Sequence, residues 1–188
     1  MNPAMAILIG VGVVLLVLVG WWVAVYNRLV RLRQHQREAW ADIDVELKRR
    51  HDLIPNLVAT VKGYAAHERE TLAEVIRLRD RAAADTEPAS AGADETKLQR
   101  KLKHLFALAE AYPDLKADAH FRELQQELAL TEDRLAAARR FFNANVRELN
   151  STIQTVPSSI VAGRHGFTTG EYFELADDAE RVAPRVGM

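Results

Sequence analysis

Six histidines, His35, His51, His67, His104, His120 and His165, are the first residues to test for chemistry, because imidazole serves as metal ligand and as general acid or base. No two stand three or four residues apart, the spacing that sets a pair of imidazoles on one helical face, so no zinc site is expected. His67 and Glu68 open like the metalloprotease helix motif, but Thr71 stands where its second histidine belongs. Asp42, Asp44 and Glu46 alternate, and alternate positions do not share a helix face. Neither a Walker phosphate loop nor a GxSxG elbow occurs. Cysteine is absent, which removes disulfides, thiol catalysis and thiolate metal sites together. No catalytic, cofactor-binding or metal-binding residue is assigned, no cofactor is expected, and no enzyme activity is expected.

Two groups of polar residues have weaker claims. Lys48, Arg49 and Arg50, beside His51 and Asp52, offer charge for a phosphate or an acidic partner, but they read first as a solvated helix end complementing the helix dipole. Further on, Phe121, Leu128, Leu135, Phe142, Leu149 and Val156 recur at strict intervals of seven, accompanied by Leu124, Thr131, Ala138, Asn145 and Thr152. Thr131, Glu132, Arg139, Asn143 and Asn145 are therefore a candidate polar seam. Such groups fix helix register, or they line a polar pocket inside the bundle, and the alternative function is then that of a ligand-binding receptor or an enzyme using that pocket.

The elements that must position these residues are helices. Between Trp21 and Ala162 only Gly63 and Gly92 are glycine, and Ala, Leu, Glu, Arg and Gln dominate. Pro55, Pro88, Pro113 and Pro157 punctuate the stretch. The spacing predicts helices over about 27–51, 53–84, 94–112 and 114–155. Asp52 as N-cap with Pro55 in the first turn favours a turn at 51–55, although Trp40, Leu47, Ile54 and Val61 keep one seven-residue beat across it. Residues 85–94, DTEPASAGAD, read as an exposed loop with Asp94 capping the next helix. After Pro157, Gly163, Gly166 and Gly170 predict a loosely ordered tail over 157–188. Its Phe167, Tyr172 and Phe173 are candidate partner-docking groups, or pack back on the helices.

All 25 basic and 26 acidic residues lie from Arg28 onward. The run from Ala4 to Val25 carries no charge, and at about 1.5 Å per residue it reaches about 33 Å as a helix, enough for a bilayer's hydrocarbon core. Residues 1–26 are thus expected to be a transmembrane anchor. Bulky Trp21 and Trp22 replace the small residues of a cleaved signal peptide. Trp21, Trp22, Tyr26, Arg28 and Arg31 form the expected membrane interface, with the lipid bilayer as the first partner. Arg28, Arg31, Arg33 and Arg37 follow the span and no basic residue precedes it, which orients the short N-terminus outside and the rest in the cytoplasm. A net charge of −1 argues against nucleic acid as a partner.

The expected fold is all-α: an N-terminal transmembrane helix, then an elongated antiparallel four-helix bundle over 27–156. The segments YNRLVRLRQHQREAWADIDVELKRRHDLIPNLVATVKGYAAHE, EAYPDLKAD, FRELQQEL, TEDR and ARRFFNANV, followed by GF and YFE, resemble the LemA family in order and spacing. Asp133 stands where that family usually has Asn after the Glu of the TE element. The resemblance implies a bacterial inner-membrane protein with one span and a cytoplasmic helical bundle, associated with envelope quality control, and it implies no active site. The function expected is a noncatalytic scaffold for other membrane or envelope proteins, with homo-oligomers through the seven-residue seam as a further expectation.

Overall fold

The computed structural model describes residues 3–85 and 88–174, with the side chains of Ala6 and Ala89 left out. Among the described residues there is no strand. Six helices follow in order: α1 (Pro3–Tyr64), α2 (Arg69–Ala84), α3 (Pro88–Ala109), α4 (Pro113–Ala117), α5 (Ala119–Gln154) and α6 (Ser158–Arg164). The chain divides into two units, Met1–Ala39 with Ala144–Gly170, and Trp40–Asn143 with Glu171–Met188. Helices α1 and α5 supply residues to both.

The expected turn at 51–55 is a correction: α1 runs through Pro55 without a break, and Asp52 lies inside it as an exposed residue. Proline has no N–H, so the carbonyl of His51, four residues earlier, loses its helical donor. Arg79 of α2 replaces it, its Nε donating to the His51 carbonyl at 3.1 Å. The helix ends instead after Gly63 and Tyr64, where Glu68 N–H closes a turn on the Ala65 carbonyl at 3.1 Å.

In the second unit, Ile54, Leu57 and Val61 of α1 meet Leu72 and Val75 of α2, Leu98, Leu102 and Leu105 of α3, Leu115 of α4, and Phe121 and Leu128 of α5. Each set follows helical spacing, so burying one stripe from each helix accounts for the core. Segment 85–94 is a second correction. Helix α3 already begins at Pro88, and Ala91, Gly92, Asp94 and Glu95 are buried. Glycine is required at 92 by contact, since a Cβ there would fall on the carbonyl oxygen of Glu174. The expected helix over 114–155 is two: α4 stops, and Asp118 accepts the Phe121 N–H at 2.8 Å, the N-cap geometry that starts α5.

The first unit has its own core of Leu29, Leu32, Leu149, Val161, Ala162 and Phe167. Here the tail reading is corrected. Residues 158–164 are helical, with Gly163 inside the helix, and Ser158 Oγ donates to the carbonyls of Thr152 and Thr155 at 2.7 and 2.8 Å, satisfying the end of α5. Gly166, at φ 68°, reverses the chain, and Phe167 N–H reaches the Ala162 carbonyl at 3.0 Å. This Schellman closure folds the Phe167 ring back into the core. In the second unit Phe173 is fully buried, its ring 5.4 Å from Trp40. The remainder of the expected tail, 175–188, lies outside the described residues.

Replacing Arg79 with Met should cost about 1–3 kcal/mol, because a partly buried carbonyl is left without a donor. In a Pro55→Ala background, where the backbone N–H at position 55 is restored, most of that cost should disappear. Chemical unfolding of the four chains of this double-mutant cycle measures the coupling, and additive losses would show that Arg79 does not compensate for the proline.

Candidate polar centre

Helix α1 places Arg50 on the same seven-residue beat as Ile43 and Leu57, with His51 one position on. Both therefore point into the second unit's core and are buried, Arg50 to 2% exposure. Their expected place on a solvated helix end is a correction for Arg50 and His51, whereas Lys48 and Arg49 are exposed. On α3 the a and d positions of Leu98, Leu102, Leu105 and Ala109 extend back to Ala91 and Glu95, so the Glu95 carboxylate is delivered to the same interior and is fully buried. On α5, Glu132 sits beside the seam position of Thr131 and reaches in from its edge.

The four groups meet. Arg50 Nη1 donates to Glu95 Oε2 at 2.9 Å, and Nη2 pairs with Glu132 Oε2. His51 Nε2 lies 2.6 Å from Glu95 Oε1. Because that carboxylate only accepts, the imidazole presents its hydrogen on Nε2. Gln99 Nε2 completes the centre with a bond to Glu132 Oε1 at 2.8 Å. Each buried charge faces an opposite charge, the condition for keeping ions out of water. The outer ring is similar: Arg49 meets Glu127 at 2.7 Å, and Asp94 receives both Arg81 and Lys97 at 2.7 Å.

Of the expected seam residues, Thr131 is buried but bonds within α5, its Oγ1 donating to the Glu127 carbonyl at 2.8 Å. Glu132 joins the Arg50 centre. Asn143 does different work in the same unit: its Nδ2 donates to the Phe173 carbonyl and its Oδ1 accepts the Phe173 N–H, both at 3.0 Å. Asn150, in the first unit, holds Gly170 in the same two-bond way at 2.9 and 2.8 Å. Arg139 and Asn145 are half-buried and do not enter the Arg50 centre. Of the candidate docking aromatics, Phe167 and Phe173 are buried and Tyr172 stays 40% exposed.

The expected interface residues stand together in the first unit. Trp22 Nε1 donates to His165 Nε2 at 3.1 Å, Tyr26 lies 4.8 Å from the same imidazole, and Trp21 packs at the edge of the core. Arg28 is exposed and 3.5 Å from Glu148, and Arg31 is exposed. Among the described residues, no three metal-ligating side chains converge. A cleft of about 230 Å³ opens beside the polar centre, lined by Arg50, Gln99, Lys103, Phe106, Leu128 and Glu132 among others. A bound polar molecule would meet the Arg50 and Glu132 charges there, but each already has a protein partner.

Titration is informative at Asp94. The hydrogen bond from Lys97, and after it that from Arg81, holds the Asp94 carboxyl below its ordinary range against the opposing effect of desolvation. A carboxylate depressed in the folded chain contributes stability that is fully present above its unfolded pKa and is lost as pH falls through the folded value. Wild type should therefore be more stable than Asp94→Asn at pH 7, with the gap closing in strongly acid solution. Melting curves across that range test this. For the centre itself, Arg50→Met should cost about 3–5 kcal/mol by leaving Glu95 buried without its cation, and adding Glu95→Leu should return much of the loss. Equal stability of the single and double variants would contradict a paired centre.

Comparison with known proteins finds relatives along most of the chain. Protein LemA of Metamycoplasma hominis is 27% identical over 160 residues, covering 83% of this chain and 71% of the relative. Magnetosome protein MamQ of Magnetospirillum gryphiswaldense is 23% identical over 189 residues, covering 86% and 70%, and magnetosome protein MamQ 2 of Paramagnetospirillum magneticum is 22% identical over 192 residues with the same coverage. The LemA family model matches residues 39–187, which contain the polar centre, the amide-held tail and the seven-residue seam, and the chain belongs to the LemA family.

Proposed function

We propose that this protein is a noncatalytic scaffold tethered to the bacterial inner membrane by the first part of α1, with its helical units in the cytoplasm, where it docks other membrane or envelope proteins. One observation carries the reading: the apolar run from Ile7 to Val19 has no protein cover, while the charged remainder of the chain builds cores of its own. Apolar surface on that scale supports burial in lipid. Arg28, Arg31, Arg33 and Arg37 directly after the run support the cytoplasmic placement. The relatives are named for a family and for the magnetosome, by where they belong and not by a reaction.

The polar centre supports a structural role, since its ions answer one another. Of the three aromatics considered for docking, Tyr172 keeps an exposed ring on a backbone held beside it by Asn143. Envelope quality control, which the LemA resemblance implies, is the setting we propose for such docking. A receptor for a small polar ligand is the second reading, favoured by the cleft against Arg50 and Glu132.

Photo-crosslinking from position 172 in native membranes distinguishes the two. The scaffold reading predicts one recurring protein adduct that survives Lys103→Ala in the cleft. A phenotype abolished by Lys103→Ala in a stably folded chain, with no protein adduct at 172, would replace the scaffold with the receptor.

A further inference from the structure

Helix α6 is fastened to the end of the apolar run. Its C-cap residue His165 accepts the hydrogen bond from Trp22 Nε1, and the Trp22 and Tyr26 rings stand 5.9 and 4.8 Å from the imidazole. Val161 and Ala162 are buried with Leu29 and Leu32, and Trp21, Trp22 and Val25 pack against this cluster. Tryptophan at the end of a membrane span prefers the headgroup level. Whatever depth Trp22 takes, the C-terminal end of α6 at His165 stays beside it.

On the outer side of this segment Ser158 and Ser159 are half-buried and Ser158 turns its hydroxyl back to the Thr152 carbonyl, which leaves Ile160, Gly163 and Arg164 as the exposed residues of the helix. Val161 and Ala162 occupy the packed side, while Ile160 is 59% exposed and Val156, just before the helix, is 75% exposed. Exposed Arg164 ends the helix, and exposed Arg31 follows the Trp pair on α1, where Arg28 is answered by the exposed Glu148 carboxylate. Apolar side chains bordered by cations match a phospholipid surface, where acyl chains begin below a layer of phosphates.

We infer that α6 and the preceding Val156 form an interfacial foot, with Val156 and Ile160 set into the headgroup and acyl boundary of the bilayer that α1 enters. The apolar run supplies the continuity, because the foot extends the same lipid-facing surface sideways at the level of the Trp pair. An interfacial helix of this kind buries its apolar side about 5–10 Å into the boundary. The foot would hold the first unit against the membrane and limit its rotation about the span. This inference rests on the anchored reading of α1.

The chain has no cysteine, so single cysteines can be introduced into the full-length protein without background. Spin labels at Leu16→Cys, Val156→Cys, Ile160→Cys and Asp133→Cys, in vesicles of phosphatidylcholine and phosphatidylglycerol, report collision with oxygen and with a water-soluble nickel complex. Position 16 should be deep and position 133 aqueous. Positions 156 and 160 should collide severalfold less with the nickel complex than position 133 does, at a depth shallower than position 16. Nickel access at 156 and 160 equal to that at 133, with position 16 still deep, would overturn the foot and leave the anchor. An aqueous position 16 would overturn the anchor and the foot together.

Discussion

The buried ion pair between Arg50 and Glu95 constrains the second unit more tightly than its apolar residues do. Leucine and valine stripes tolerate more than one register, because slipping a helix by a turn exchanges one apolar contact for another. A guanidinium with almost no exposure does not. It requires Glu95 of α3 on one nitrogen and Glu132 of α5 on the other, while His51 takes the remaining Glu95 oxygen. Three helices must stop where those groups meet. Such a centre gives little net stability over an apolar replacement, so its physical value lies in specifying one arrangement.

Much of the rest depends on backbone groups that must find partners. Pro55 removes one N–H from α1, and Arg79 supplies the missing donor, tying α2 to the helix at that point. Asn143 and Asn150 each present both an acceptor and a donor to an extended backbone that has no strand to pair with. The absence of a Cβ at Gly92 leaves room for the Glu174 carbonyl. Interactions of this sort hold residues 165–174 without regular secondary structure.

How much was legible in the sequence depends on the kind of signal. The apolar run before Arg28 and the beat from Phe121 to Leu149 are periodic or compositional, and the all-α fold is readable from them. Arg50 and Glu95 also lie on readable beats, Ile43 to Leu57 and Leu102 to Ala109, but an Arg or Glu is by default a surface residue. Only the partner across the core reveals it as interior, and partners are not visible along one chain. Pro55 reads as a break because its rescue comes from Arg79, distant in sequence. Residues 85–94 read as a loop because glycine, serine and proline are loop formers, whereas close packing against Glu174 is a tertiary demand. The tail misled for the same reason: glycines at 163, 166 and 170 suggest disorder, yet Gly166 closes α6, and Asn150 and Asn143 hold the backbone at Gly170 and Phe173.

The claim that buried charge selects a single helix register can be measured as a distance distribution. Spin labels at exposed Ala59 on α1 and exposed Lys103 on α3 report on the second unit alone. The unsubstituted centre should give one narrow distance between them, and a chain carrying Arg50→Met with Glu95→Leu should give a broadened or split distribution while remaining helical. An equally narrow distribution at the same distance in that variant would show that apolar packing sets the register without the charges.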